Sequence, residues 1–283
     1  MSSHKINDCT LLLSTYDAGE DLWEGFFISI KHQWPEFDMP IAVNTERKKV
    51  SFPGYSINTY NVLKKKGNVN WGKRLKDVLK RIDTEFVLLF LEDYWLDAPV
   101  DNEYFEKSLQ WLRDNQDIST FSYFPCLPGQ NIEDNLFDRM ELRPTKCEYK
   151  FNCQVAIWRR EKLIKYIRNH ENPWEWEIYG SMRASRFKER FYTLKKGEKL
   201  CFSYGDPDVG CLIHKGKWVE EPARRLCKLY NLDIDFSIRG FEDFDAYRNP
   251  EKQSLAQRLK RPHRMKRIIN KFKELMHKIL SLI

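Results

Sequence analysis

Two acidic residues, Glu92 and Asp93, directly follow the six-residue apolar run Phe86–Leu91. A strand that is apolar on both faces is buried on both, and ligands of open α/β sheets bind at the carboxyl ends of such strands. Two carboxylates at that position cost folding free energy unless they hold a cation or cationic groups. A hard divalent cation, Mn²⁺ or Mg²⁺, together with a diphosphate would meet this need. The alternative is an ordinary strand-end turn whose acids are hydrated.

A second candidate site is Thr15-Tyr16-Asp17, which ends the first predicted strand just before a helix. The side chains of Thr15 and Asp17 could hydrogen-bond a nucleoside, and Tyr16 could stack on its base. Asp17 could equally cap the helix that follows. The sequence leaves both interpretations open.

A third candidate site lies in residues 171–177, ENPWEWE. Asn172 suits the N-cap of a helix, Pro173 its first position and Glu175 the N3 position, where a capping carboxylate belongs. Glu177 is not needed for the cap. The neighbouring tryptophans form an apolar surround that would raise a carboxyl pKa, as a general base requires, and their faces suit stacking on sugar rings. The alternative is a buried aromatic start of a helix.

A fourth candidate site is the short segment 213–218, IHKGKW. It combines a potential metal ligand, His214, with two cations, Lys215 and Lys217, around the flexible Gly216. Cations or a metal ion are what the developing charge of a diphosphate leaving group needs. The alternative is a solvated basic turn.

The elements that would position these residues alternate along the chain. Strands are predicted over Cys9–Thr15, Pro40–Asn44, Tyr55–Tyr60, Phe86–Leu91, Ile118–Phe124 and Phe151–Trp158. Helices are predicted over Asp21–Trp34, Asn70–Ile82 (capped by Asn70), Asn102–Asn115, Arg160–Arg168 and 171–186. The polar stretch Pro128–Tyr149 is long enough for a functional loop. This pattern predicts an α/β, Rossmann-like fold with a mostly parallel sheet flanked by helices.

The excess positive charge of the chain is concentrated at its end. The net charge of the whole chain is +7, whereas the segment from Glu251 onward has ten Lys/Arg and two Asp/Glu, a net of +8. The other 250 residues therefore sum to about −1, which argues against a broad nucleic-acid-binding surface.

Within this tail, residues 263–283 show apolar residues at helical spacing opposite a basic face. A basic amphipathic helix on a near-neutral body is typical of an enzyme that works at an anionic membrane surface. The alternative is packing on the body, or on a second copy in a homodimer. Charges interrupt the run every few residues, so it does not predict a transmembrane span, which needs roughly 20 mostly apolar residues.

Seven cysteines without a CxxC pair indicate reduced thiols, and no signal peptide is recognisable. We therefore expect a cytoplasmic protein, peripheral on the inner face of the cell membrane. The sequence has no GxG dinucleotide fingerprint, Walker A sequence, HExxH motif or GxSxG elbow.

Taken together, the four sites resemble those of a known family. The helix NWGKRLKDVLKRI followed by EFVLLFLEDYWL resembles the central segment of GT-A glycosyltransferases. ENPWEWE and IHKGKW look like segments of bacterial sugar transferases from capsule and lipopolysaccharide gene clusters. The resemblance covers roughly residues 8 to 220.

This resemblance implies a role for each site. It implies that Thr15 and Asp17 contact the nucleotide and that Arg74 lies near the diphosphate or the sugar. It also implies that Glu92 and Asp93 form the acidic metal-binding motif. The base would be Glu177 or Glu175. The usual acidic motif of the family is Asp-any-Asp, whereas this chain has Glu-Asp followed by Tyr94. The set of metal-binding carboxylates is therefore reduced, and Lys215 or Lys217 would take over part of the charge stabilisation.

We expect a GT-A-like catalytic domain over residues 1–248, a linker over 249–262 and the membrane-associating helix over 263–283. The expected activity is transfer of a sugar from a nucleotide-diphospho-sugar to a saccharide acceptor, with a lipid-linked saccharide favoured by the tail. Two alternatives stay open: a nucleotidyltransferase that makes a sugar nucleotide, and a non-catalytic protein that binds the membrane surface.

Overall fold

A computed structural model of the chain describes residues 6–61, 70–126, 130–205 and 210–243. These residues form an eight-stranded sheet with helices packed on both faces, and a separate two-stranded hairpin. The predicted linker 249–262 and the predicted helix 263–283 lie outside the described residues.

The strands of the large sheet are β1 Cys9–Ser14, β2 Ile41–Thr45, β3 Ile57–Asn61, β4 Phe86–Leu91, β5 Ile118–Ser122, β6 Met140–Leu142, β7 Ala156–Arg159 and β8 Arg190–Leu194, and the hairpin consists of β9 Ile213–His214 and β10 Lys217–Trp218. The helices are α1 Trp23–Gln33, α2 Trp71–Leu79, α3 Asn102–Asp114, α4 Arg160–Tyr166, α5 Pro173–Glu175, α6 Ser181–Ala184 and α7 Glu220–Tyr230. A π-helical segment, Trp176–Gly180, joins α5 to α6, and short 3₁₀ helices span Asp17–Leu22 and Phe236–Ile238.

The strand order is β3-β2-β1-β4-β7-β5-β8-β6. Six strands run in one direction, and β6 and β7 run against them. The mixed, mostly parallel α/β sheet predicted from the sequence is therefore confirmed. The carboxyl ends of the six parallel strands lie along one edge, called the carboxyl edge below.

The chain changes direction across the sheet between β1 and β4. From β1 it passes through α1 to β2 and β3 on one side, and then returns through α2 to β4 on the other side of β1. This topological switch point is where open α/β sheets bind ligands. In the β1–β4 register Ser14 is the partner of Leu91, so Thr15 and Glu92 leave the sheet side by side.

Each face of the sheet has its own apolar core. Side chains of α1, α3 and α7 pack on one face, and side chains of α2, α4 and the 173–184 helix pack on the other. The strand β4 contributes Leu88 and Phe90 to the first core and Val87 and Leu89 to the second. This is why the sequence of β4 is apolar at consecutive positions.

Four sequence predictions need correction. The predicted strand 151–158 begins only at Ala156 and is antiparallel to both of its neighbours. The stretch 128–149 is not wholly a loop, because it contains the edge strand β6. Asn70 stands at the N-cap of α2 but makes no capping bond with its side chain, which donates to the carbonyl of His170. The predicted helix 171–186 contains the π-helical turn instead of being α-helical throughout.

Candidate active site at the switch point

The acidic pair lies at the carboxyl edge beside the switch point, and each of its members is only 8% exposed. The carboxylate of Asp93 accepts a hydrogen bond from the backbone N–H of Ile213 (3.2 Å), which ties it to the start of the hairpin. Glu92 points to the other side, toward the turn after β1, where Oε1 would lie 3.2 Å from a Cβ at Gly19. The pair thus joins the Thr15–Gly19 turn to the hairpin.

Burial is the main cause, and the neighbouring charge of Asp93 the second, of a pKa of Glu92 that is raised to about 8. Burial likewise raises the pKa of Asp93 to about 7. A hydrogen bond from Thr15 and the positive charge of Arg239 oppose these shifts without cancelling them. The folded protein therefore disfavours the charged form of both carboxyls. A cation bound between them and a ligand would favour the charged form again.

The structure places Thr15 inside the protein. Its side chain is buried, accepts a hydrogen bond from Trp23 Nε1 (2.9 Å) and donates one to Glu92. In this arrangement the hydroxyl of Thr15 is hydrogen-bonded within the protein and orients Glu92, and its contact to a nucleoside stays a prediction.

The side chain of Asp17 is occupied by the loop after β2. Its Oδ1 atom accepts backbone hydrogen bonds from Glu46 (3.0 Å), Arg47 (3.0 Å) and Lys48 (3.2 Å). It therefore caps that loop and not its own 3₁₀ helix, so the helix-cap interpretation is wrong, and the nucleoside contact stays a prediction. Its effect on a ligand would be indirect, through the position of the loop.

Arg74 lies in the first turns of α2, is 7% exposed and forms an ion pair with Glu46. The first residue of the same helix, Trp71, donates from Nε1 to the Ser14 hydroxyl at the end of β1 (3.2 Å). The start of α2 is therefore anchored to the carboxyl edge, with the guanidinium of Arg74 near enough to Glu92 for the two charges to interact.

Arg239 belongs to this site, although no sequence pattern indicates it. It follows the 3₁₀ helix Phe236–Ile238 and binds Asp21 through Nε (2.7 Å to Oδ2) and the Ala18 carbonyl through Nη2 (2.9 Å). The bond to Asp21 raises its pKa, so it stays charged, and it also bonds Tyr16. Arg239 thereby brings a fixed positive charge to the acidic pair.

The segment 213–218 forms a tight hairpin whose central residues, Lys215 (φ 50°) and Gly216 (φ 82°), both have positive φ. Two positive φ angles are the geometry of a type I′ turn. The side chains of Lys215 and Lys217 are exposed, and Lys215 Nζ lies 3.9 Å from Glu242 Oε1. The hairpin is hydrogen-bonded to residues 240–242, which directly follow Arg239 in the chain.

His214 faces Glu242, with 3.7 Å between Nδ1 and Oε1. Burial lowers its pKa, and the charge of Lys215 lowers it further. The structure does not join His214 to Glu92 and Asp93 as a metal site, because the described residues contain no group of three His, Cys, Asp or Glu that could hold an ion.

The predicted capping box at residues 172–175 is confirmed. Asn172 Oδ1 accepts from the N–H of Glu175 (2.9 Å), and Glu175 Oε2 accepts from the N–H of Asn172 (3.0 Å). The carboxylate of Glu175 thus caps the start of the helix, and Glu177 remains as the candidate general base. Trp176 is fully buried, so it is no sugar platform, whereas Trp174 is 70% exposed.

Glu177 lies in the π-helical turn, a feature that often accompanies functional sites. Its Oε1 accepts from the backbone N–H of Cys153 (2.8 Å), and the carbonyl of Cys153 accepts from the hydroxyl of Tyr94 (3.2 Å). Glu177 is therefore linked through Cys153 to Tyr94, the residue that follows Asp93. Burial raises the pKa of Glu177, as a general base working near neutral pH requires.

The donor set at the acidic pair fits a hard divalent cation. It offers carboxylate oxygens, which are the ligand type that such a cation prefers. Mg²⁺ in particular is usually bound through one or two carboxylates plus substrate phosphates.

The fold and this edge define a class: α/β proteins with buried charged side chains at the switch point of an open sheet. No family model and no curated protein matches the sequence. Among solved structures, S. aureus TarS is 12% identical with a TM-score of 0.48, over 88% of this chain and 46% of that one. The mannosyltransferase PcManGT from Pyrobaculum calidifontis, in complex with GDP-Man and Mn²⁺, is 13% identical with a TM-score of 0.44, over 67% of this chain and 55% of that one.

A cytidylyltransferase from Leptospira borgpetersenii is 12% identical with a TM-score of 0.44, over 89% of this chain and 99% of that one. The chain spans about half the length of the first two structures. In the part of the chain that the structure describes, no helix is long and apolar enough to cross a membrane.

Proposed function

We propose that the chain is a glycosyltransferase that moves a sugar from a nucleotide-diphospho-sugar to a saccharide acceptor. One observation supports this most strongly: the buried pair Glu92–Asp93 at the switch point has cationic side chains near it, and a third carboxylate, Glu177, is linked through Cys153 to Tyr94, the residue after Asp93. A site for a diphosphate and a base for a hydroxyl are the two parts that sugar transfer needs.

In the proposed reaction the acceptor hydroxyl oxygen forms a bond to the anomeric carbon of the donor, and the bond from that carbon to the diphosphate oxygen breaks. Glu177 takes the proton of the hydroxyl, and the electron pair of the broken bond leaves with the nucleoside diphosphate. The raised pKa of Glu177 makes it a stronger base than an ordinary carboxylate.

Positive charge would stabilise the leaving diphosphate. Arg74 and Arg239 lie near enough to the acidic pair for their charges to interact with it, and the hairpin that carries the exposed Lys215 is bonded to Asp93 through Ile213. Glu92 and Asp93 would hold Mn²⁺ or Mg²⁺, which supplies Lewis-acid neutralisation of the diphosphate when bound. Tyr16, half-buried beside Arg239, would contribute the contact to the nucleoside.

The tail indicates the acceptor. A basic amphipathic segment over residues 263–283 would hold the catalytic domain, residues 1–248, at an anionic membrane through the linker 249–262. A lipid-linked saccharide on the inner face of the cell membrane is then the acceptor that we propose, in the synthesis of a cell-surface polysaccharide such as capsule or lipopolysaccharide. The enzyme would be cytoplasmic and peripheral.

The products released distinguish this proposal from a nucleotidyltransferase. Full-length protein is incubated with a panel of nucleotide-diphospho-sugars and a lipid extract of the source cells, and in parallel with nucleoside triphosphates and sugar phosphates. We expect nucleoside diphosphate release that depends on the lipid extract and falls sharply in Glu177→Gln. Pyrophosphate release in the second incubation would show a nucleotidyltransferase. If neither product forms while the protein binds vesicles, the chain is a non-catalytic membrane-binding protein.

A further inference from the structure

We propose that the described body has its own contact for an anionic membrane, formed by an apolar ridge of four exposed side chains. The ridge consists of Trp174, Ile178, Met182 and Phe187, which are 70%, 42%, 39% and 39% exposed. Four of the nine large apolar residues that are exposed in the described part of the chain thus fall within one short stretch. Scattered apolar residues are normal on a surface, whereas a contiguous group marks an interaction site.

Three of the four ridge residues lie on the outer side of one helix, and Phe187 follows three residues after its end. The segments α5, π and α6 follow one another without a gap, and Trp174, Ile178 and Met182 are spaced four residues apart, which puts them on one side. The opposite side, with Trp176 and Ala184, is packed into the core under the sheet. The ridge therefore faces away from the protein, because the other side of its helix packs in the core.

The acidic side chains near the ridge are engaged within the protein. Glu171 is fully buried in an ion pair with Arg183 (2.6 Å). Glu175 belongs to the capping box, and Glu189 accepts from Lys162 (2.9 Å) and Lys165 (3.0 Å). These carboxylates therefore contribute little net negative charge to the surface.

The basic side chains near the ridge extend outward. Arg186 and Lys188 are exposed on either side of Phe187, and Lys165 Nζ lies 3.3 Å from the centre of the Phe187 ring. Cations beside apolar and aromatic side chains match a surface of anionic headgroups over acyl chains. Tryptophan in particular favours the membrane–water interface, because its ring is apolar and its N–H is polar.

The size of the ridge favours a membrane over a second copy of the chain. Its exposed side chains present roughly 400 Å² of mostly apolar surface, well short of the ~800 Å² per partner of a standard stable interface. A membrane contact needs no such area, because several weak contacts on one molecule add to the same binding.

The membrane contact does not depend on the proposed reaction, but it has a consequence for it. Glu177 lies between Trp174 and Ile178 on the same helix, and its carboxylate turns inward to Cys153. With the ridge on the bilayer, the candidate base would stand close to the membrane surface, where the sugar of a lipid-linked acceptor is found.

Tryptophan fluorescence separates the ridge from the tail in the full-length chain. All nine tryptophans lie in the described residues, none lies in 244–283, and Trp174 is the one with a largely exposed side chain. With vesicles of phosphatidylcholine and phosphatidylglycerol that carry brominated acyl chains, we expect quenching of the emission. In Trp174→Phe we expect most of that quenching to be lost.

A co-sedimentation assay with the same lipids, unbrominated, measures the energetic effect. We expect the triple variant Trp174→Ser/Ile178→Ser/Met182→Ser to lower the partition coefficient by about 10-fold, equal to about 1.4 kcal/mol. The matched control is Leu229→Ser/Ile238→Ser, which removes apolar side chains that are 52% and 76% exposed elsewhere, and it should bind as the wild type does. Circular dichroism checks that each variant is folded.

Three results would overturn the inference. The first is wild-type protein that sediments with the vesicles without tryptophan quenching, because the tail would then bind alone. The second is wild-type protein that stays in the supernatant at low salt. The third is a triple variant that binds as the wild type does but changes from dimer to monomer, because the ridge would then be a protein interface. None of these readouts uses a sugar donor, so a failure of the proposed reaction would leave them unaffected.

Discussion

The strained carboxyl pair predicts that neutralising one of its members stabilises the protein at alkaline pH. The pKa of Asp93 rises from 3.8 to about 7 on folding, and that of Glu92 from 4.5 to about 8. At these two carboxyls the native protein therefore binds more protons than the unfolded chain between about pH 4 and pH 8. The contribution of the pair to the free energy of unfolding falls as the pH rises through this window.

Asp93→Asn removes the contribution of Asp93, while the Asn carbonyl can still accept from the N–H of Ile213. A pKa raised from 3.8 to about 7 corresponds to a difference in stability on the order of 4 kcal/mol, at about 1.4 kcal/mol for each tenfold change in the ionisation constant. We expect wild type and variant to have similar stability near pH 4. At pH 8 and above the variant should be more stable, by up to about 4 kcal/mol, and the loss of one charge beside Glu92 adds to the effect.

Urea unfolding at several pH values between 4 and 8, with chelator present, measures this difference. Asp117→Asn is a control of opposite sign, because a hydrogen bond from Arg190 holds the pKa of Asp117 below its usual value. That variant should lose stability at neutral pH and approach the wild type as the pH falls through the native pKa. If the difference in free energy of unfolding between the wild type and Asp93→Asn does not change with pH, the electrostatic account of the site is refuted.

Three further predictions concern activity and binding. Glu177→Gln should lower kcat by about 100-fold or more with the fold intact, whereas Glu175→Gln should mainly change stability, within about 1 kcal/mol, because Glu175 acts in the capping box. If kcat and urea unfolding show the reverse pattern, the roles of the two residues are exchanged. Asp93→Asn should also cut turnover by about 100-fold, or about 2.7 kcal/mol, and chelator should inhibit the wild type; full activity in both cases would exclude the metal role. Truncation after Arg248 should weaken co-sedimentation with anionic vesicles yet spare transfer to a short soluble acceptor, whereas loss of that activity would show that the tail supports the catalytic body.

The sequence predicts those parts of the site that depend on one segment. The apolar run 86–91 gives a strand buried on both faces, and the acids that follow it must emerge at the carboxyl edge. The capping box at residues 172–175 is likewise local, and its residue spacing is enough to distinguish the role of Glu175 from that of Glu177.

The parts that the sequence does not reveal depend on contacts between distant segments. Arg239 acts through Asp21, which lies 218 positions earlier in the chain, and nothing in its local sequence marks it. The sequence places Asp17 correctly at the end of β1, but the role of its side chain depends on a loop that follows β2. The direction of β7 is not predictable either, because an apolar run has the same pattern in both orientations.

The most direct test of the central claim is a thermal-shift measurement with nucleoside diphosphates. Full-length protein is heated with UDP, GDP, CDP or dTDP, each with and without Mn²⁺. We expect at least one of them to raise Tm, by about 5 °C at 100 times its Kd, since binding to the native state alone then adds about 2.7 kcal/mol. The shift should be larger with Mn²⁺, and Asp93→Asn should lose the additional part. If none of the four raises Tm with or without Mn²⁺, the switch-point site does not bind a nucleoside diphosphate, and the proposed glycosyltransferase activity is wrong.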